Sequence, residues 1–289
     1  MTLPTVVPHG RDEVLQWCRA IDEGPWTSLA VPERITYTNH SLTVELAAAA
    51  ALTERVRLWT TLVILPAHPA VQVAKDLASV DNLSGGRLTV AVGVGGREED
   101  YQAVGAPFDH RWQRMDDSVA TLRRVWAGQP PFEGTVAVGP PPVQAGGPPL
   151  VAGVMGPKAL ARAARWASGV DDASTVTAMN RDVLAGVVAR VGDAWRAAGR
   201  SDRPHVSASI WFALGSGAEE RLRDYVYRYM LVMGSDLASA FASSATCSTP
   251  AELARSVEAA ADAGCDELFL VPTTADVTEL DRTRDALGR

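Results

Sequence analysis

Apolar positions along the chain follow two alternating rhythms. Short β-branched apolar runs suit buried strands, and between them lie longer stretches with apolar residues three and four apart, which suit helices packed on one face. The strand-like runs are residues 2–7, 26–31, 56–65, 88–94, 149–154, 169–172, 206–214 and 267–271. The helix-like stretches are 12–20, 42–52, 69–82, 112–127, 157–168, 180–198, 219–233 and 250–263. The 112–127 stretch is the most regular, with Met115, Val119, Leu122 and Trp126 on one face. Continuous apolar strands indicate a parallel sheet covered on both faces. Eight strands, nearly all followed by helices, in somewhat more than about 250 residues predict an α/β fold, the (β/α)8 TIM barrel. A loop-rich excursion, "GQPPFEGTVAVGPPPVQAGGPP", separates the fourth and fifth strands. The same rhythm resumes after it, so one domain over residues 1–289 is expected.

Composition then narrows the field. Hydrophobic residues make up 47% and charged residues 21%, enough for a sizeable core. The net charge of −7 is spread over interspersed signs, and the lack of a basic patch argues against a nucleic-acid partner. No apolar run approaches the roughly 18 residues of a membrane span, so none is expected. The opening "MTLPTVVPHGRDE" lacks the basic and apolar regions of a signal peptide. Cys18, Cys247 and Cys265 are scattered and odd in number. They give no metal-ligand spacing and suggest a reducing, cytoplasmic compartment.

In a TIM barrel the chemistry lies where strands exit into helices. One exit is "DNLSGGRLTVAVGVGGREEDY" at residues 81–101. Gly93 and Gly95 fit the start of a dinucleotide fingerprint, but Glu98 stands at its third glycine. Glu98, Glu99 and Asp100 would repel a pyrophosphate, which disfavours a Rossmann reading. The "VGVGG" turn still lets a ligand approach the backbone. Arg97 beyond it either reaches an anionic group or pairs with Glu98 or Asp100. A second exit, "GVMGPK", opens a helix at Pro157, where free N–H groups and Lys158 suit a phosphate. Its alternative is an ordinary turn with a surface lysine. His9 and His40 follow the first and second runs and are candidate proton donors or plain loop histidines. Trp59 and Trp211 lie on strands and are expected in the core.

The block 56–105 carries "LP-x-HP", "LSGGR" and "GVGxG" in that order, and "PPLVAGVMGPKALARAARWASG" follows later. With these motifs nearly the whole chain resembles the bacterial luciferase-like superfamily. The resemblance implies a TIM barrel that binds FMN or the deazaflavin coenzyme F420 at its C-terminal mouth. It implies a bulged strand under the cofactor ring at Thr61, Leu62 and Val63, with a non-proline cis bond between Thr61 and Leu62. Gly93, Val94, Gly95, Gly96 and Arg97 would lie beside the cofactor, and its phosphate by Met155, Gly156 and Lys158. Gly85–Gly86 would only turn a helix into a strand, and His68 in the "HP" turn would be structural.

The chain also departs from the family pattern. Relatives carry a histidine in an "E/D-H" pair after the second strand, where this chain has Glu33–Arg34. An arginine stays protonated and is a poor base, so it would hold an anionic substrate or shield the ring. Glu33, Arg34 and His40 are therefore the substrate-side candidates. Ser168, Gly169 and Val170 replace "DGW", and Gly93 stands where luciferase has a sulfur-bearing residue. These departures tell against light emission and against a sugar-phosphate substrate. The expected function is hydride transfer between reduced F420 and a small organic substrate, because glycines stand where FMN-binding relatives often carry a charge. One alternative is an FMN-dependent two-component monooxygenase supplied by a separate reductase. Another is a catalytically silent flavin-binding barrel or dimer partner. The likeness and the apolar helices predict a homodimer.

Overall fold

Seven of the eight expected strands form in the computed structural model, which describes residues 1–288. The elements begin α1 (Arg11–Glu23), β1 (Ser28–Val31), α2 (Leu42–Leu52), β2 (Arg57–Ile64), α3 (Ala70–Leu83), β3 (Leu88–Gly93), α4 (Glu98–Ala103), α5 (Arg111–Trp126) and β4 (Leu150–Gly153). They continue α6 (Pro157–Ala163), β5 (Gly169–Asp172), α7 (Arg181–Ala197), β6 (His205–Phe212), α8 (Ala218–Met230), α9 (Ser235–Ser244), α10 (Pro250–Asp262), β7 (Glu267–Pro272) and α11 (Thr278–Ala286). This alternation is that of the TIM-barrel class of α/β folds. The chain divides into two compact units, Thr27–Gly153 and Met1–Trp26 with Val154–Arg289.

In the Thr27–Gly153 unit, β1, β2, β3 and β4 pair in parallel in that order. Arg87 of the "LSGGR" motif ties its closed end together. Its guanidinium donates to the Val56 carbonyl at 2.6 Å, the Thr53 carbonyl at 2.5 Å and the Ser84 carbonyl at 2.8 Å. Carbonyls left over at a helix end need such partners, and Arg87 supplies them to the turns after α2 and α3. The expected face of α5 is buried, and Trp126 donates its indole N–H to the Ala74 carbonyl at 2.9 Å. The excursion before β4 contains no helix or strand, as expected. It is tied to α3 through Asp81, which accepts from the Val143 and Gln144 amides at 2.8 and 3.0 Å.

In the other unit, β5, β6 and β7 pair in parallel. The expected strand at residues 2–7 is reduced to one bridging residue, Thr2, whose N–H donates to the Leu270 carbonyl at 3.1 Å. Pro4 and Pro8 bring no N–H, so no ladder can propagate there. The helix expected over 157–168 ends at Ala163. Arg200 accounts for this, since it binds the Ala164 and Ala167 carbonyls at 3.2 and 2.6 Å. The helix expected over 219–233 ends at Met230, passes through a short 3-10 turn, and stops at Gly234 with φ +94°. Helices α4, α9 and α11 were not expected; they are short, and α4 and α11 are dominated by charge. Gly169 is a packing requirement, because a Cβ there would lie 2.1 Å from the His205 carbonyl oxygen. Trp59 and Trp211 are in the core as expected. All three cysteines are free thiols.

Asp171 on β5 accepts from Ser207 Oγ at 2.7 Å, and loss of water pushes its carboxyl up to about 7. The Ser207 hydrogen bond works against that rise and the neighbouring Asp172 adds to it. A carboxyl raised in the folded state stabilises the fold while protonated. That contribution is lost as pH climbs from about 4 through about 7. Asp171→Asn, which imitates the neutral acid, is expected to raise the melting temperature at pH 8 clearly more than at pH 5. Equal shifts at the two pH values would refute the assignment.

Candidate active site

The site begins with a register fault. Thr60 pairs with Val90, but the next aligned pair is Val63 with Val92, so β2 spends one more residue than β3. Such a bulge re-aims the side chains around it. The Thr61–Leu62 peptide within it is cis, where the cis bond was expected. Thr60 Oγ1 donates to the Ala91 carbonyl at 2.7 Å and anchors the near side of the bulge. Leu62 fills a notch that only glycines leave open. A Cβ on Gly93 would meet its Cδ1 at 2.6 Å, and one on Gly153 would meet its Cδ2 at 2.3 Å. Gly93 therefore has a packing reason to be glycine, independent of any ligand. Thr61 Oγ1 is buried without a hydrogen-bond partner. A buried hydroxyl in that state is a candidate to meet a polar ligand group.

Glu33, two residues past β1, holds the far side of the bulge. Its Oε2 accepts from the Ile64 amide at 2.5 Å, and its Oε1 lies 2.9 Å from His68 Nε2. The Glu33 hydrogen bond raises the His68 pKa above its ordinary value, although burial opposes it. Both oxygens of Glu33 are thus engaged within the protein. His68 has the structural environment that was expected of it.

The segment between β1 and α2 is stitched to the turn after β3. Asp100, buried at the start of α4, accepts from the Thr36 amide at 3.0 Å and from Thr36 Oγ1 at 2.5 Å. Arg97 donates to the Tyr37 hydroxyl at 3.0 Å and pairs with Asp100 at 3.6 Å. Its guanidinium lies 4.7 Å from the centre of the Tyr37 ring, and Arg34 lies 5.5 Å from the same centre. Of the two fates open to Arg97, pairing with Asp100 is the one observed. Tyr101 donates to the Val94 carbonyl, and burial pushes its phenol up to about 12. Gly95 has φ +62°, a conformation that suits glycine. Space beside Gly96 is open. His40 Nδ1 lies 3.0 Å from Oε1 of Glu45, a buried carboxylate on α2.

In the other unit, Gly156 caps α6 with φ +89° and no side-chain cap bond. Met155 is 86% exposed beside it, and Lys158 is exposed one residue past Pro157. The Met155–Lys158 turn is therefore exposed, carries one cation and has no side-chain cap on its helix.

Sequence reasoning finds Thr61, Leu62, Val63 and the glycines through the family pattern. It misses Thr36, Tyr37, Gly153, the hold of Asp100 on Thr36 and the tie from Glu33 to Ile64. No motif announces these residues, because their roles are contacts between distant segments. The acidic run after Gly96 is the one signal that points to Asp100.

A family model described as luciferase-like monooxygenase matches residues 4–288. The chain belongs to that family, an oxidoreductase family. An uncharacterised protein of Mycobacterium tuberculosis is 30% identical over 172 residues, covering 57% of this chain and 59% of the relative. The match thus spans less than two thirds of that relative's length. Among solved structures, the monooxygenase RslO1 from Streptomyces bottropensis superposes with a TM-score of 0.80 at 24% identity, covering 99% of this chain and 96% of its own. The coenzyme F420-dependent tetrahydromethanopterin reductase from Methanopyrus kandleri gives a TM-score of 0.77 at 17% identity, covering 97% and 96%. Both likenesses establish the fold.

The notch beside the bulge gives a direct test. Gly153→Ala drives a methyl into Leu62 and is expected to cost about 1–3 kcal/mol, the usual range for overpacking. In a Leu62→Ala background the same change should cost far less. Denaturant titration of the four members of this double-mutant cycle reads the coupling, and additive effects would contradict the notch.

Proposed function

We propose that the chain is an F420-dependent oxidoreductase acting on a small, anionic organic substrate. The observation that carries this reading is the bulge at Thr61–Val63, with its unpartnered Thr61 hydroxyl and its glycine-lined exit at Gly93–Gly96. On this reading Thr61, Leu62 and Val63 would back the cofactor ring, and the unpartnered Thr61 Oγ1 would meet one of its polar groups. Open space at Gly96 leaves the backbone approachable. When bound, F420 supplies the hydride donor or acceptor, and the protein supplies orientation and charge. Arg34 keeps its positive charge at any working pH and would hold an anionic substrate group rather than take a proton. His40, oriented through Nδ1 by Glu45, is the residue suited to hold or release a proton. The phosphate end of the cofactor is assigned to Met155, Gly156 and Lys158, where α6 begins with free donors.

A second reading is an FMN-dependent monooxygenase fed by a separate reductase. The likeness to the monooxygenase RslO1 favours it. Titration of the protein with F420 and with FMN, followed by fluorescence, separates the two. At least tenfold tighter binding of F420, about 1.4 kcal/mol, supports the first reading, and the reverse preference overturns it.

The phosphate assignment has its own test. Gly156→Ala measures the strain of a side chain at φ +89°, and Gly156→Asp adds a carboxylate to the same strain. Binding of the cofactor should fall further in the aspartate variant than in the alanine variant. Lys158→Ala should cost only about 1 kcal/mol, as for one exposed charge contact. Equal affinities of the alanine and aspartate variants would place the phosphate elsewhere.

We also propose a homodimer through α2. The only charged residue on that helix, Glu45, is buried, while Val44 is 66% exposed among alanines. An apolar outer face on a helix calls for cover, and a second copy of the chain would supply it. Sedimentation should give twice the 30.7 kDa mass of the chain, and Val44→Glu should shift it to the monomer. A parent that sediments as a monomer at micromolar concentration would contradict this.

A further inference from the structure

Glu33 has a role that its place beside Arg34 conceals. Its carboxylate is split between two partners, the Ile64 amide at 2.5 Å and His68 Nε2 at 2.9 Å. Ile64 is the first residue after the pair at which β2 and β3 come back into register, and it ends the strand. His68 in turn donates its own amide to the Leu65 carbonyl at 3.2 Å, which closes the turn between β2 and α3. The near side of the bulge is anchored separately, by Thr60 Oγ1 on the Ala91 carbonyl at 2.7 Å. Two side chains thus hold the bulge from its two ends, and Glu33 is the one that carries charge.

We propose that Glu33 is a positioning residue: clamped between the Ile64 amide and the His68 ring, it fixes the chain just past the bulge and so sets the surface on which the cofactor ring rests. This rests on the cofactor reading given above. A hydrogen bond to a charged acceptor is among the stronger ones in a protein, and here it fastens backbone that is bent out of the regular ladder. Replacement by aspartate would shorten the reach by one methylene and release one partner or the other.

The clamp is also open to protons. A cavity of about 80 Å³ lies against it, lined by Glu33, His68, Leu42, Val63 and Gln72, with room for water. Asp76 of α3 lines the same cavity and accepts from Gln72 Nε2 at 2.7 Å. Tyr101 of α4 feels the charges of Glu33 and Asp100, and those of Arg111 and Arg114 of α5. The His68–Glu33 bond raises the His68 pKa. The ion pair therefore exists below that raised pKa and loses its positive partner as pH rises through it. Glu33→Gln keeps the shape of the clamp, since the amide oxygen can accept from Ile64 and the amide nitrogen can donate to neutral His68. It removes the carboxylate charge that helps to raise the His68 pKa.

The experiment compares the parent, Glu33→Ala, Glu33→Asp and Glu33→Gln in two measurements. Hydrogen exchange of the 61–68 segment is followed without cofactor, as protection factors from pH 6 to 8. Binding of F420 and of FMN is titrated over the same range, with circular dichroism confirming that each variant is folded. Glu33→Ala and Glu33→Asp are expected to lose protection at Ile64 and to weaken binding of the cofactor the parent prefers by roughly tenfold or more, the loss of one hydrogen bond to a charged group. Glu33→Gln should restore protection, and any change of its protection with pH should move to lower pH than in the parent, because His68 loses the carboxylate that raises its pKa. Unchanged protection in Glu33→Ala, or lost protection with unchanged cofactor affinity, overturns the proposal while leaving the cofactor reading in place. A parent that binds neither F420 nor FMN removes the cofactor reading first and this role with it.

Discussion

One surplus residue in β2 is the constraint on which the rest of the site depends. A strand that gains a residue on its neighbour must kink, and the kink must be packed and hydrogen-bonded or it will not persist. Each neighbour of the bulge answers part of that requirement. Thr60 binds across to β3, and Glu33 captures the first regular amide beyond it. Gly93 and Gly153 clear the space that Leu62 must occupy. A regular strand would need none of these residues, so the bulge gives a common reason for a threonine, a carboxylate and two glycines far apart in sequence.

The same economy runs through the charged groups. Arg87 and Asp81 are buried or half-buried and spend their hydrogen-bonding capacity on backbone at loop and helix ends, where carbonyls and amides would otherwise be orphaned. Arg97 and Asp100 do similar work on the segment after β1, with Tyr37 stacked against the guanidinium. Arg34 lies 5.5 Å from the centre of the same ring.

Family membership agrees with this arrangement but does not by itself choose the cofactor. An F420-dependent reductase and a monooxygenase superpose almost equally well. The shared element is the fold, and the fold is compatible with both chemistries. What bears on that choice is local: Arg34 after β1, and the glycines Gly93 and Gly153 at the ends of β3 and β4.

Periodicity alone sufficed for the fold class. Apolar runs of four to ten residues followed by amphipathic stretches leave few alternatives to a parallel α/β architecture, and the 42–52 and 112–127 helices form within a residue of where the pattern puts them. The motif block 56–105 located the bulge, because the residues that make it are contiguous. The first strand failed because Pro4 and Pro8 withhold the donors that a ladder needs, a fact visible in the sequence but outweighed there by its apolar character. Tertiary structure alone decided that Glu33 faces inward to Ile64 and His68, that Asp100 holds Thr36, and that Gly93 yields to Leu62. Each of these depends on the distance between atoms some thirty to sixty residues apart. A one-dimensional pattern encodes which faces are buried, but not which polar atoms meet once they are.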